Sequence, residues 1–245
     1  MRILVFIFGL IAYVVFLIAF LYAIGFVGDL YVPKTIDSGG GDFSISSLLI
    51  NCLLLGLFAI QHTIMARPGF KKWWTKIVGV ASERSFFVLV SSLILILLYW
   101  QWRPMTEVIW DVKGGAGSLV LNGIFWLGWV IVFLSTFMIN HFHLFGLTQI
   151  YDNLVKKEIT KLRFQKIYLY KLVRHPIMLG FIIAFWATPT MTLGHLLFAV
   201  MTTAYIFIGV HFFEEKDLVD EIGEGYVQYQ KEVPMLIPFL KGKKS

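Results

Sequence analysis

ILVFIFGLIAYVVFLIAFLYAIGFV, Ile3 to Val27, runs for 25 residues without a charge. As a helix rising 1.5 Å per residue it covers the roughly 30 Å hydrocarbon core of a bilayer with length to spare. It is too long for the core of a signal peptide, and no small-residue cleavage pattern follows it. It therefore reads as an uncleaved first membrane span, and the rest of the chain repeats the theme.

Of 245 residues, 58% are hydrophobic and only 15% charged, and the mean hydropathy is +0.77. A soluble chain carries about a quarter charged residues. Further apolar runs place spans at about 45–66, 85–100, 118–139, 177–189 and 194–213. The expected fold is an all-α, polytopic helical membrane protein of five to six spans. It forms a single integral-membrane domain over 1–245, with an N-terminal bundle over 1–139 and a catalytic part over 140–245. There is no internal repeat and no low-complexity segment.

The charge is patterned. The connection Gly28–Ser44 is net −2, and its "DSGGGD" reads as a flexible turn. Arg67–Arg84 is net +4, Gln101–Gly117 is neutral, and Asn140–Pro176 is net +5. Lys- and Arg-rich connections alternate with poor ones, as orientation by positive charge requires. The second and fourth connections, the "KGKK" tail and both termini are assigned to the cytoplasmic side. The net charge of +6 thus reports topology and a lipid bilayer as partner, and gives no reason to expect nucleic acid. The single cysteine, Cys52, excludes an internal disulfide and sits in an apolar run.

Between Ile177 and Phe213 lie 37 residues without a charge, broken at "ATPTMTLGH" by Pro189 and Gly194. Proline disfavours a helix interior, so one kinked helix or a tight hairpin is possible, and the hairpin is preferred. After Phe213 polarity switches. Leu218, Ile222, Tyr226 and Tyr229 share one helical stripe, and Asp217, Glu221 and Glu224 the other. The expectation is one amphipathic helix continuing from the last span along the cytoplasmic face. Glu215 falls on its apolar stripe and Glu214 at the border, where an acid is costly unless a cation or a hydrogen-bond donor meets it.

Four constellations could carry chemistry. Arg174-His175-Pro176 stands at a span boundary, where cations commonly anchor headgroups; Pro176 also favours an extended residue before it and a helix start after it. "NHFHLFGLTQ", Asn140 to Gln149, puts His141 and His143 at the end of a span. Residues at i and i+2 do not share a helix face, and no His-Glu-x-x-His pattern occurs, so no metal site is expected. Gln61-His62 lies within a span, where a histidine is either functional or an interhelical hydrogen-bond partner. Glu214-Glu215 is the fourth. Their placement suits a charged, water-soluble cosubstrate meeting a substrate that arrives from the bilayer.

"YKLVRHPIMLG" followed by "EEKDLVDEIGEGYVQYQKEVPMLIPF" resembles the isoprenylcysteine carboxyl methyltransferase superfamily. Its pattern is Arg-His-Pro-x-x-x-Gly, Glu-Glu-x-x-Leu, Gly-x-x-Tyr-x-x-Tyr, Val-Pro and a closing Pro. "LYAIGFVGDLYVPKTID", "QHTIMARPGFKKWW", "ERSFFVLVSSL", "NHFHLFGLTQ" and "FWATPTMTLGHLLFA" extend the resemblance to the bacterial membrane methanethiol S-methyltransferases over nearly the whole chain. The resemblance implies a multi-pass enzyme of the bacterial inner membrane. Its activity would be methylation of a small thiol, methanethiol to dimethyl sulfide, with S-adenosylmethionine as methyl donor. Carried over by position, Tyr170, Arg174, His175, Pro176, Met178, Glu214 and Glu215 form the donor-binding set.

Two positions depart from the superfamily pattern. Met178 stands where Tyr is frequent, and Val210 stands where the prenylcysteine enzymes carry the Arg that reads a carboxylate. An apolar residue there argues against a prenylcysteine and agrees with a neutral thiol. A thiolate nucleophile needs its proton removed, and His141, His143 and His211 are the candidate bases, His141 first. Two other classes remain. A haem-binding isomerase or redox protein of the denitrification or carotenoid type would draw axial ligands from His62, His141, His143 or His175. A transporter or structural membrane protein is the third, although paired broken repeats are missing.

Overall fold

The computed structural model describes residues 1–112, 114–160 and 164–239. Lys113, Lys161, Arg163 and the "KGKK" tail, which entered the charge pattern, lie outside the described residues. The chain divides into two compact units. One comprises Met1–Ile109, Asn140–Leu162 and Thr192–His195, the other Trp110–Ile139, Arg163–Met191 and Leu196–Ser245.

In the first unit, α1 (Arg2–Gly28), α2 (Ile45–Ala66) and α4 (Val80–Gln101) are each long and apolar enough to cross a membrane. Bulky side chains such as Leu4, Ile18, Leu21, Leu53 and Leu93 are exposed along them, as a lipid-facing surface requires. Polar residues in these helices are spent on one another. Asn51 brackets the Arg103 backbone, donating to its carbonyl (2.7 Å) and accepting from its N–H (2.9 Å). Gln61 bonds Ser91 at 3.3 Å, and His62 lies against Phe58 and Phe87 with Nδ1 3.4 Å from Ser91.

The connection after Ala66 is itself helical: α3 (Pro68–Val78) starts with proline in its first turn and ends at Gly79, φ 79°. The span read as 85–100 begins five residues earlier. The "DSGGGD" segment is tied down beyond its open tip, with the Gly41 carbonyl accepting from Thr106 N–H at 2.9 Å and Phe43 N–H donating to Glu107. Two short helices complete this unit, α6 (His141–Leu144) and α7 (Leu147–Leu154).

The second unit is built on α5 (Ala116–Ile139) and α8 (Pro176–Trp186). A Cβ on Gly128 would lie 2.6 Å from the Ala184 nitrogen, and one on Gly180 would lie 2.7 Å from the Gly128 carbonyl oxygen. The two backbones touch, the close approach that small residues allow in membranes. Trp129 fills the flank against Phe181 and Phe185.

The stretch 177–213 is a hairpin, not one kinked helix. After Trp186, three residues short of the expected end, the chain runs through Pro189 and the strand Thr190–Thr192, with the other short strand at Val108–Asp111. It returns as α9 (Leu193–Ile208). The Trp186 indole donates to Thr203 Oγ1 at 2.9 Å, and Phe185 packs edge-on to Phe198.

α9 then widens into a π-helical turn, Gly209–Glu214, before α10 (Glu215–Ile222) and α11 (Glu224–Glu232). The expected single amphipathic helix is thus corrected to two, because Gly223 adopts φ 75°, a conformation that strains residues with a Cβ. The stripe still turns inward: Leu218 and Ile222 pack on Tyr226, Tyr229 and Val233.

Candidate functional site

The site in the second unit is assembled around one buried carboxylate. Glu215 begins α10 directly after the π-turn and is 6% exposed. Its Oε1 receives Arg174 Nε (2.9 Å), His175 Nε2 (2.6 Å) and the Tyr226 hydroxyl (2.8 Å). Its Oε2 receives Arg174 Nη2 and Gln230 Nε2, both at 2.7 Å. An acid on an apolar stripe is tolerable only when so met, and the cationic partners anticipated for it are the Arg-His pair.

Arg174 is fully engaged with the protein. Its remaining Nη1 donates to the Gln230 carbonyl at 3.1 Å and to that of Val233. Its backbone N–H and that of His175 donate to the carbonyls of Pro234 (2.9 Å) and Met235 (3.1 Å). The guanidinium therefore does not point at a headgroup. Tyr229 ties the same assembly to its neighbour by donating to the Tyr170 carbonyl. Several elements of the sequence pattern over Tyr170–Phe239 thus have a mechanical reason: Gly180 admits α5, the two tyrosines hold Glu215 and residue 170, and Val-Pro supplies carbonyls to Arg174.

His175 caps α8 with a non-helical backbone (φ −124°, ψ 66°) before Pro176 at the first helical position, since the residue before a proline avoids the helical region. One ring nitrogen meets Glu215; the other, Nδ1, lies 3.7 Å from Glu214 Oε1. Burial would lower its pKa, but the field of Glu214 and the bonds to both glutamates outweigh it and raise the value to about 9. His175 is a cation at neutral pH. Glu214 is different from its neighbour, with a side chain 43% exposed. Tyr170, in the short 3-10 turn Tyr168–Lys171, is half-buried. Burial and then the Glu214 charge raise its pKa, so it stays a neutral hydroxyl.

Met178 lies one turn into α8 and packs with Phe181 and Ile182 on the apolar cluster of Ile206, Val210 and Leu236. Val210 is 1% exposed, so the position that departs from the prenylcysteine pattern is a core contact. Tyr170, Arg174, His175, Pro176, Met178, Glu214 and Glu215 all fall in this unit. Within the set, Arg174 and Glu215 are committed to each other, whereas Glu214 and Tyr170 present surface.

The candidate bases separate. His141 and His143 are in the first unit. His141 is buried, with Nε2 2.8 Å from the Tyr13 hydroxyl and its ring among Tyr13, Phe142 and Phe145; burial lowers its pKa. His143 has Nε2 2.8 Å from the Thr160 carbonyl, which can only accept, so that nitrogen carries the proton. His211 belongs to the second unit and is exposed on the π-turn, stacked on Phe207 with Phe212 at its edge.

Gln230 was not singled out from sequence. Its signal was the i, i+4 spacing from Tyr226, which places it on the same face of α11.

Residues 49–213 match the family described as NnrU protein. The chain is 54% identical over 238 residues to a methanethiol S-methyltransferase of Mycobacterium tuberculosis, covering 97% of each. It is 55% identical over 234 residues to methanethiol S-methyltransferase 1 of Bradyrhizobium diazoefficiens, 96% of this chain and 82% of that one. It is 26% identical over 182 residues to Nurim of Mus musculus, 71% of this chain and 69% of that one. No solved structure matches the chain.

Proposed function

The chain belongs to the methanethiol S-methyltransferase family, and from that premise we propose that it methylates methanethiol with S-adenosylmethionine as the donor. The thiol sulfur forms a bond to the methyl carbon while the bond to the donor sulfonium breaks. Dimethyl sulfide, S-adenosylhomocysteine and one proton result. The observation that carries this reading is identity near one half over almost the whole length of proteins with that name.

The chemistry of the proposed donor set fits the methyl donor. A donor with an ammonium and a sulfonium calls for a carboxylate with accessible surface, which Glu214 supplies. Its own carboxylate calls for a cation, which His175 supplies. Tyr170 adds a neutral hydroxyl, and Pro176 and Met178 an apolar wall. Arg174 and Glu215 hold His175 from behind: they position the site, and donor contact falls to Glu214, His175 and Tyr170.

The thiol is the second requirement. An alkyl thiol is more basic than the ~8.5 of cysteine, so only a minority is ionised at neutral pH. The candidate proton acceptors are His141, His143 and His211, with His141 ranked first. The third candidate, His211, stands between exposed phenylalanines, a poor setting for passing a proton on.

Among the described residues five helices are long and apolar enough to cross a membrane, the fifth running from α9 through the π-turn to Ile222, and they make this a multi-pass membrane protein. The basic connections and both termini are assigned to the cytoplasmic face of a bacterial inner membrane, with α8 and the extended segment after it as the sixth crossing. The test is headspace detection of dimethyl sulfide from membranes supplied with methanethiol and S-adenosylmethionine. Product above vector control is expected; none from folded protein overturns the reading.

A further inference from the structure

Several span hydroxyls of this protein are turned back onto their own backbone. Ser82, Ser92 and Thr202 each donate to the carbonyl four residues back, and Thr136 to the one three residues back. This is how a helix disposes of a hydroxyl where water is scarce. Ser135 differs. It is 0% exposed, and its Oγ has no hydrogen-bond partner among the described residues. Ser85 also lacks one, but there the cause is visible: Gly9 and Gly146 press on it so closely that a Cβ on either would lie 2.9 Å from its oxygen.

Ser135 is also the residue that Tyr170 reaches. The Tyr170 hydroxyl donates to the Ser135 carbonyl at 3.4 Å, long for a hydroxyl donor and therefore a contact that yields easily. Tyr170 in turn feels the charge of Glu214. The residue that carries the orphaned hydroxyl thus meets a proposed donor-binding residue through its backbone carbonyl, within the same unit.

We propose that Ser135 Oγ binds the sulfur of the substrate thiol once the Tyr170 hydroxyl moves aside. The inference rests on the methyl-transfer reading above. A hydroxyl is suited to this because it serves both states of the nucleophile: it accepts from the neutral S–H and donates to the thiolate. It keeps its own proton throughout; the thiol proton leaves to a base. A buried hydroxyl without a partner is costly, and a sulfur partner removes that cost in the bound state.

The test compares Ser135→Ala and Ser135→Thr with the wild type in detergent. Three quantities are measured: KM for methanethiol, affinity for S-adenosylhomocysteine, and thermal unfolding. Ser135→Ala is expected to raise KM about tenfold, a typical worth of one hydrogen bond. It should leave the affinity for S-adenosylhomocysteine unchanged and the unfolding temperature equal or higher, since an unpaired buried polar group is gone. Ser135→Thr, which keeps a hydroxyl, should restore most of KM. An unchanged KM in Ser135→Ala overturns the assignment while the methyl-transfer reading stands. So does a KM rise matched by equal loss of S-adenosylhomocysteine affinity. A folded wild type that makes no dimethyl sulfide overturns both.

Discussion

The Arg174 guanidinium grips the Glu215 carboxylate side-on, Nε to Oε1 at 2.9 Å and Nη2 to Oε2 at 2.7 Å. This pair is buried on both sides, with side chains 10% and 8% exposed. Its role is to fix geometry across 41 residues of sequence, and it divides two adjacent glutamates into different trades.

Removing one partner of such a pair strands the other charge. Arg174→Ala should destabilise the protein by about 3–5 kcal/mol, seen as a large fall in unfolding temperature in detergent. Arg174→Lys should recover only part of it, because an ammonium cannot make the bidentate contact.

Glu214 and Glu215 should respond oppositely to the same chemistry. Glu214→Gln should lower thermal stability less than Glu215→Gln, since the side chain is half-exposed, yet weaken binding of S-adenosylhomocysteine by about tenfold or more. Glu215→Gln should lower stability first. Equal stability loss in both variants would show that the division of roles is wrong.

His175 carries a pH signature. Its folded value of about 9 stands above its ordinary 6.5. The stabilisation it provides is therefore complete below about pH 6.5 and disappears as pH rises through 9. Unfolding temperature should fall across that window, and His175→Gln should flatten the fall while starting lower.

The α5–α8 contact admits no side chain at its closest point. Gly180→Val should cost about 3 kcal/mol or more by forcing the two backbones apart, because even its Cβ would meet the Gly128 carbonyl at 2.7 Å. Loss of the monodisperse protein peak on size exclusion is the expected readout. Gly56→Ala, where nothing lies within 4 Å, is the control expected to be silent.

Much of the fold was legible because a lipid solvent imposes a simple code. Ile3–Val27 announces a span by length and lack of charge alone, and the helix observed is Arg2–Gly28. The helical wheel that put Glu215 on an apolar stripe also told that a cation or a hydrogen-bond donor had to meet it. Residues governed by backbone detail were harder to read. Gly223 could have continued the helix, as isolated glycines often do, and only its positive φ makes it a break. The π-turn before Glu215 has no mark in "GVHFFE". Ser135 sits in "FLSTFMI", a run like any other span, and its distinction is a bond it does not make. Which of Arg174 and Glu214 faces outward likewise depends on contacts dozens of residues away.

α8 has eleven residues and so covers roughly 16 Å, about half of a bilayer. The extended stretch after it has its backbone paired: the Thr188 carbonyl takes the Trp110 indole N–H (3.1 Å) and the Pro189 carbonyl takes Val112 N–H (2.9 Å). During synthesis neither piece is long enough to be recognised as a span by itself. The segment from Pro176 to the end of α9 therefore has to enter the bilayer as one helical hairpin, after α5 is already there to receive it. The hairpin is in that sense assembled last, onto a helix that precedes it.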